Sequence, residues 1–116
     1  MKLRTFLAWS GMALAAAGAT PASAQTKPTE ATLELYKTKC MACHMDGNAP
    51  IPEMNFANGS WKHGSKVVEL VKVITEGVEG TAMVSFKDQL SPAEIDALAR
   101  YVRSFDKKLK ADKGGK

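Results

Sequence analysis

Cys40-Met41-Ala42-Cys43-His44 sets two thiols three residues apart and places an imidazole directly after the second. Thiols one helical turn apart face the same way, so both can add to the vinyl groups on one edge of a single porphyrin. His44, beside the second anchor, is then delivered to the iron at the centre of the ring. C-x-x-C-H is the attachment signature of a c-type haem. Two other readings compete. In a shuffle of this composition the pattern arises by accident roughly three times in ten thousand, which sets accident aside. A redox disulfide predicts a C-x-x-C opening a helix within a βαβ pattern, and the sequence has no convincing strand run. Cys40 and Cys43 are therefore read as the covalent anchors of one haem c, and His44 as a ligand to its iron.

At the start of the chain, Met-Lys-Leu-Arg carries two positive charges, and Thr5 to Ala19 is rich in Leu, Ala, Phe and Trp with no ionisable group. These are the n-region and h-region of a signal peptide, and Ala22-Ser23-Ala24 before Gln25 fits the A-x-A cleavage pattern. The apolar run is shorter than the ~20 residues a membrane-spanning helix needs. The expectation is a leader over residues 1–24 cut after Ala24, an exported protein, and no stable membrane insertion. Removing residues 1–24 from 116 leaves 92. These divide into a domain over residues 25–106 and a Lys/Gly-rich flexible tail over 107–116. A domain of that size is usually marginal alone and gains from a cofactor.

The formal net charge of +4 includes Lys2 and Arg4 of the leader, so the mature chain carries +2. Lys107, Lys108, Lys110, Lys113 and Lys116 share the last ten residues with one acid, Asp112. Basic residues gathered in a tail without interleaved aromatics do not make a nucleic-acid footprint.

Outward from the motif, Ala31 to Lys39 reads as a helix with Leu33, Leu35 and Tyr36 to bury. The run Asp46-Gly47-Asn48-Ala49-Pro50-Ile51-Pro52 reads as loop, because prolines and glycine interrupt any helix there. Asn58-Gly59 and Gly64 bracket Ser60-Trp61-Lys62-His63 in a turn region. Ser65 is the expected N-cap of a helix to about Glu76, with Val67, Leu70, Val71 and Ile74 at i, i+3, i+4, i+7 and Gly77 as its stop. A loop from Gly77 to Gln89 contains Met83. The last helix opens on Ser91, Pro92 and Glu94, a capping box, and carries a stripe of Ile95, Leu98, Ala99, Val102 and Phe105 with Tyr101 beside it. The fold class is all-α with long loops and no internal repeat.

This order of elements, with Tyr36 four residues before the first Cys and Tyr101-Val102 on the last helix, resembles the class I c-type cytochromes from about Ala31 to Phe105. Asn58-Gly59-Ser60-Trp61-Lys62-His63-Gly64 and Ile74-Thr75-Glu76-Gly77 through Gly80-Thr81-Ala82-Met83 resemble the small cytochromes that serve bacterial dehydrogenases and terminal oxidases. The resemblance implies a cytochrome c fold, three to four helices whose long loops enclose one covalent haem. Met83, 39 residues after His44, stands where the family places its axial methionine, and a thioether opposite His raises the haem potential. Met41 and Met45 lie beside the attachment motif, and Met54 falls where the family has an apolar residue packing on the haem. His63 is expected at the surface, with bis-His ligation the alternative. By resemblance the His44 ring N–H is accepted by the backbone carbonyl of Pro52, or else of Pro50. Trp61 either donates to a haem propionate or covers the porphyrin edge. Thr32 stands where the family often has Gly, and Val84 where it commonly has Pro.

The implied role is that of a monomeric periplasmic electron carrier between a dehydrogenase donor and a terminal oxidase or other cytochrome acceptor. The alternative is a tightly bound haem subunit of a multisubunit dehydrogenase or oxidase. No acid/base or nucleophile constellation points to an enzyme. Replacing both Cys40 and Cys43 with Ala is expected to abolish haem staining on a denaturing gel and to leave a largely unfolded chain, since the cofactor completes so small a core. A double variant that still stains contradicts the attachment assignment.

Overall fold

The computed structural model describes residues 27–112. The expected leader and the last four residues lie outside that range. The described chain is helical, in the order α1 (Glu30–Lys39), α2 (Met41–His44), a 3-10 turn (Pro52–Met54), α3 (Val67–Glu76) and α4 (Pro92–Arg103). No strand occurs among the described residues. No helix among them is long and apolar enough to cross a membrane.

α1 is capped by Thr29, whose hydroxyl accepts the Thr32 amide at 3.2 Å, with Glu30 in the first turn and Lys37 and Lys39 in the last, each sign suited to the helix dipole. Its inward line is Thr32 and Tyr36, one turn apart and both buried. Leu33, expected inside, is turned outward and 39% exposed. α4 begins with the expected box: Ser91 Oγ accepts the Glu94 amide at 3.2 Å, and Glu94 accepts the Ser91 amide at 2.9 Å. Ile95, Leu98, Ala99 and Val102 are buried against Val67, Leu70 and Ile74 of α3 and against Tyr36. Tyr101 and Phe105 complete the seam with α1, their rings 5.0 and 5.5 Å from Tyr36.

The start of α3 departs from expectation. The N-cap is Lys66, not Ser65. The Ser65 carbonyl instead accepts Arg103 Nε at 2.8 Å, and the free amide of Val67 is satisfied from 45 residues away by Asp112 Oδ2 at 2.7 Å. Glu69 accepts the Lys66 amide at 3.0 Å. The stretch expected to run free from Lys107 thus returns, as far as Asp112, to the α3–α4 seam. Arg103 Nη1 holds the Lys110 carbonyl at 2.5 Å and Asp106 is buried.

The end of α3 fixes the loop that follows. Gly77 has φ 73° and ψ −174°, a region essentially closed to residues with a side chain. A Cβ there would lie 2.7 Å from Met83 O, Val84 C and Ser85 N. The close approach permits three bonds: Val78 N to Met83 O at 2.9 Å, Ser85 Oγ to Thr75 O at 2.6 Å, and Phe86 N to Ile74 O at 3.1 Å. Gly77→Ala is expected to cost about 1–3 kcal/mol in denaturant unfolding of the holoprotein. An unchanged midpoint contradicts this tight crossing.

Candidate functional site

α2 is a single turn that carries Cys43 and His44, with Cys40 as its N-cap. His44 N bonds Cys40 O at 3.0 Å and Cys43 N bonds the same carbonyl at 3.2 Å. Cys40 is half-buried, Cys43 is exposed, and neither forms a disulfide. Burial pushes the Cys40 thiol up to about 11, so it stays protonated at neutral pH. Met45 ends the turn at φ 51°, ψ −144°, a conformation costly for a residue with a Cβ. It is held by the buried Tyr36 hydroxyl, which donates to the Met45 carbonyl at 2.5 Å. Burial first, then the neighbouring Cys40 and Tyr101, raises the Tyr36 phenol well above its ordinary range, so it remains a donor.

His44 Nδ1 lies 2.8 Å from the carbonyl of Met54. A carbonyl only accepts, so the ring proton sits on Nδ1 and Nε2 presents its lone pair. The expected acceptor, Pro52, is thereby corrected, and Pro50 is not used either. The 3-10 turn consumes the Pro52 carbonyl, which accepts Asn55 N at 3.2 Å and Asn58 Nδ2 at 3.1 Å, and it carries the chain on until the Met54 carbonyl faces the imidazole. The His44 ring stacks on Phe56 at 4.4 Å and 21°.

Two further contacts hold this loop. Gly47 O accepts the amides of Phe56 and Ala57 at 2.7 and 3.0 Å. Gly47 itself, at φ 83°, lies so close to Phe105 that a Cβ would meet its ring at 2.4 Å.

Trp61 is half-buried and stacks on Phe56 at 5.8 Å and 6°. Its indole N–H donates to Asp106 Oδ2 at 2.9 Å. Trp61 thus spends its indole donor on a carboxylate of the chain itself and packs its ring on Phe56. Met83 is half-buried against the core cluster, its amide donating to Thr81 Oγ1 at 3.1 Å. Met54 is half-buried and His63 exposed. Ile51, Met45 and Val84, beside the attachment motif and the Met83 loop, are 52%, 48% and 55% exposed.

This donor set fits a covalent haem. Two thiols unbonded to each other stand on one turn, the adjacent imidazole has Nδ1 committed to the Met54 carbonyl, and a thioether lies on a braced loop. Sequence reasoning missed the Met54 carbonyl, the Tyr36 hydroxyl and Asp106. None belongs to a motif, and only the fold brings them to the site.

The helical fold and the one-turn thiol–thiol–imidazole arrangement define a class I c-type cytochrome carrying one covalently bound haem c. The model of the family described as cytochrome c oxidase, cbb3-type, subunit III matches residues 27–102, and the chain belongs to that family. It is 34% identical over 74 residues to the cbb3-type cytochrome c oxidase subunit FixP of Bradyrhizobium sp. (strain ORS 278), a match covering 61% of this chain and 25% of that protein. The chain thus spans about a quarter of the length of the curated relatives it matches. Among solved structures it is similar to cytochrome c6 from the diatom Phaeodactylum tricornutum, with TM-score 0.53 and 28% identity over 64% of this chain and 88% of that one. It is also similar to cytochrome c6C from Synechococcus sp. PCC 7002, with TM-score 0.53 and 26% identity over 63% and 90%.

The Trp61 N–H, then the Lys108 amide and the charges of Lys108 and Arg103, hold the Asp106 carboxyl below its ordinary range. A carboxyl lowered in the folded state contributes stability that is present above its unfolded value of about 3.9 and is lost as pH falls through the folded value. The holoprotein is therefore expected to lose stability on acidification below about pH 4, and Asp106→Asn to flatten that slope in denaturant titrations. An identical acid limb in the variant contradicts the assignment.

Proposed function

We propose that this cytochrome is an exported, periplasmic one-electron carrier whose haem iron is held between His44 and Met83. The observation that carries the reading is the His44–Met54 hydrogen bond, which leaves Nε2 as the basic atom of an imidazole set beside two free thiols. When bound, the haem supplies the one-electron Fe(III)/Fe(II) couple. Cys40 and Cys43 would fix one edge of the ring, and the Met54 carbonyl orients the His44 imidazole. Met83, on the loop pinned to the end of α3, supplies the thioether that favours the reduced state. Phe56 and Trp61 keep water from the His44 side.

Export and cleavage after Ala24 are supported by the charged start, the apolar run and the A-x-A site. The mature chain then comprises the domain of residues 25–106 and the Lys-rich segment 107–116. Electron transfer needs close approach over a small interface, and exposed Ile51, Met45 and Val84 offer apolar contact near the motif and the Met83 loop. Donor and acceptor are a dehydrogenase and a terminal oxidase or another cytochrome, with the carrier acting as a monomer and catalysing no reaction of its own.

The same exposed residues, with the subunit character named for the FixP relatives, favour a second reading, a haem subunit held in a larger oxidase or dehydrogenase. Gel filtration of a gently prepared periplasmic extract separates the two: elution at the size of the free chain supports the carrier, and co-elution with a larger complex supports the subunit. For the ligand, Met83→Ala is expected to retain covalent haem but to open the sixth position, lower the potential and remove the weak red absorption of a Met-ligated ferric haem. Met54→Leu is expected to do neither. The reverse pattern overturns Met83.

A further inference from the structure

Asp106 is a carboxylate only 4% exposed that plays no part in holding or orienting the haem as described so far. An ionised group so enclosed is costly unless its oxygens are satisfied, and both are. Oδ2 accepts the Trp61 indole N–H at 2.9 Å and Oδ1 the Lys108 amide at 3.0 Å. What it holds is one end of a file of rings. Trp61 lies parallel to Phe56 within 6°, and Phe56 lies within 21° of the His44 imidazole at 4.4 Å. Phe105, the residue before Asp106, also stacks on Phe56, at 6.2 Å and 21°.

We infer that Asp106 is a positioning residue for the axial histidine: by holding the Trp61 indole it keeps Phe56 against the face of His44 and so sets the plane of the imidazole. The inference rests on the reading of His44 as an iron ligand. The Met54 carbonyl fixes where Nδ1 points, but one hydrogen bond leaves the ring able to rock about the N–H···O direction. A parallel phenyl face at stacking distance removes that freedom. Phe56 can do so only while its own plane is held, by Phe105 and by a tryptophan whose polar anchor is Asp106. The imidazole plane matters electronically, because it selects which iron d orbital carries the unpaired electron of a low-spin ferric haem and hence how spin spreads over the ring.

The test is proton NMR of the ferric holoprotein, reading the order of the hyperfine-shifted haem methyls together with hydrogen exchange of the Trp61 indole N–H. Asp106→Leu is expected to keep covalent, low-spin haem, to speed indole exchange at least tenfold, and to change the methyl order. Asp106→Asn, which keeps an acceptor oxygen, is expected to restore both towards wild type. Should Asp106→Leu fail to fold, Trp61→Phe, which keeps a ring but has no N–H to anchor, is expected to change the methyl order alone.

A wild-type methyl order in Asp106→Leu, or in Trp61→Phe, overturns the proposal, as does Asp106→Asn matching Asp106→Leu. His44→Ala distinguishes the deeper failure. If it loses the low-spin spectrum, a negative result at Asp106 counts against positioning alone; if it stays low-spin, the ligand reading falls and the proposal with it.

Discussion

The bond from His44 Nδ1 to the Met54 carbonyl spans ten residues and joins the attachment turn to the loop that leaves it. As a contribution to stability it is ordinary, about 0.5–1.5 kcal/mol. Its weight lies in what it decides, namely which ring nitrogen carries the proton and which is left to meet a metal. For the carbonyl to reach the ring, the chain must turn back sharply after His44. Met45 adopts a positive φ under the Tyr36 hydroxyl, Gly47 passes against Phe105 where no Cβ fits, and the 3-10 turn presents Met54. Tyr36 belongs to α1 and Phe105 follows α4, so the α1–α4 packing and the geometry of His44 stand or fall together.

The loop of Met83, the proposed second ligand, has a separate support. Met83 belongs to a loop with no regular structure, yet its backbone is bonded to Val78 and its successors to Thr75 and Ile74 at the end of α3. α3 in turn is packed on α4 through Val67, Leu70 and Ile74, and its first free amide is closed by Asp112. The surroundings of His44 therefore depend on the α1–α4 seam and the Met83 loop on the α3–α4 seam, with α4 common to both. Damage to the Leu98 region of α4 reaches both sides, whereas a change at Gly77 reaches the Met83 side first.

What could be read from the sequence was whatever is local. The capping box at Ser91, the stripes of α3 and α4, and C-x-x-C-H each sit within one or two helical turns, where spacing alone fixes geometry. Ser65 looked like a cap because it precedes an apolar run, but the amide it would have served is taken by Asp112, 45 residues later than Val67. The resemblance points to Pro52, and the 3-10 turn moves the acceptor two residues on. Leu33 looked buried by composition, while Thr32, a polar residue with its hydroxyl satisfied by Thr29 at 3.0 Å, took the inward place. The first two outcomes depend on hydrogen bonds that span 45 and ten residues, which leave no mark on residue type, and the third on which face of α1 meets α4.

In the proposed holoprotein the fold presents His44 to the iron through Nε2, with Nδ1 protonated and held by Met54. Long-range proton–nitrogen correlation on the reduced, histidine-labelled holoprotein reads this directly. His44 is expected to carry its proton on Nδ1, in slow exchange and with a cross-relaxation contact to the Met54–Asn55 backbone, and to carry none on Nε2. A proton on Nε2 of His44, or an Nδ1 proton in fast exchange with water, would contradict this assignment.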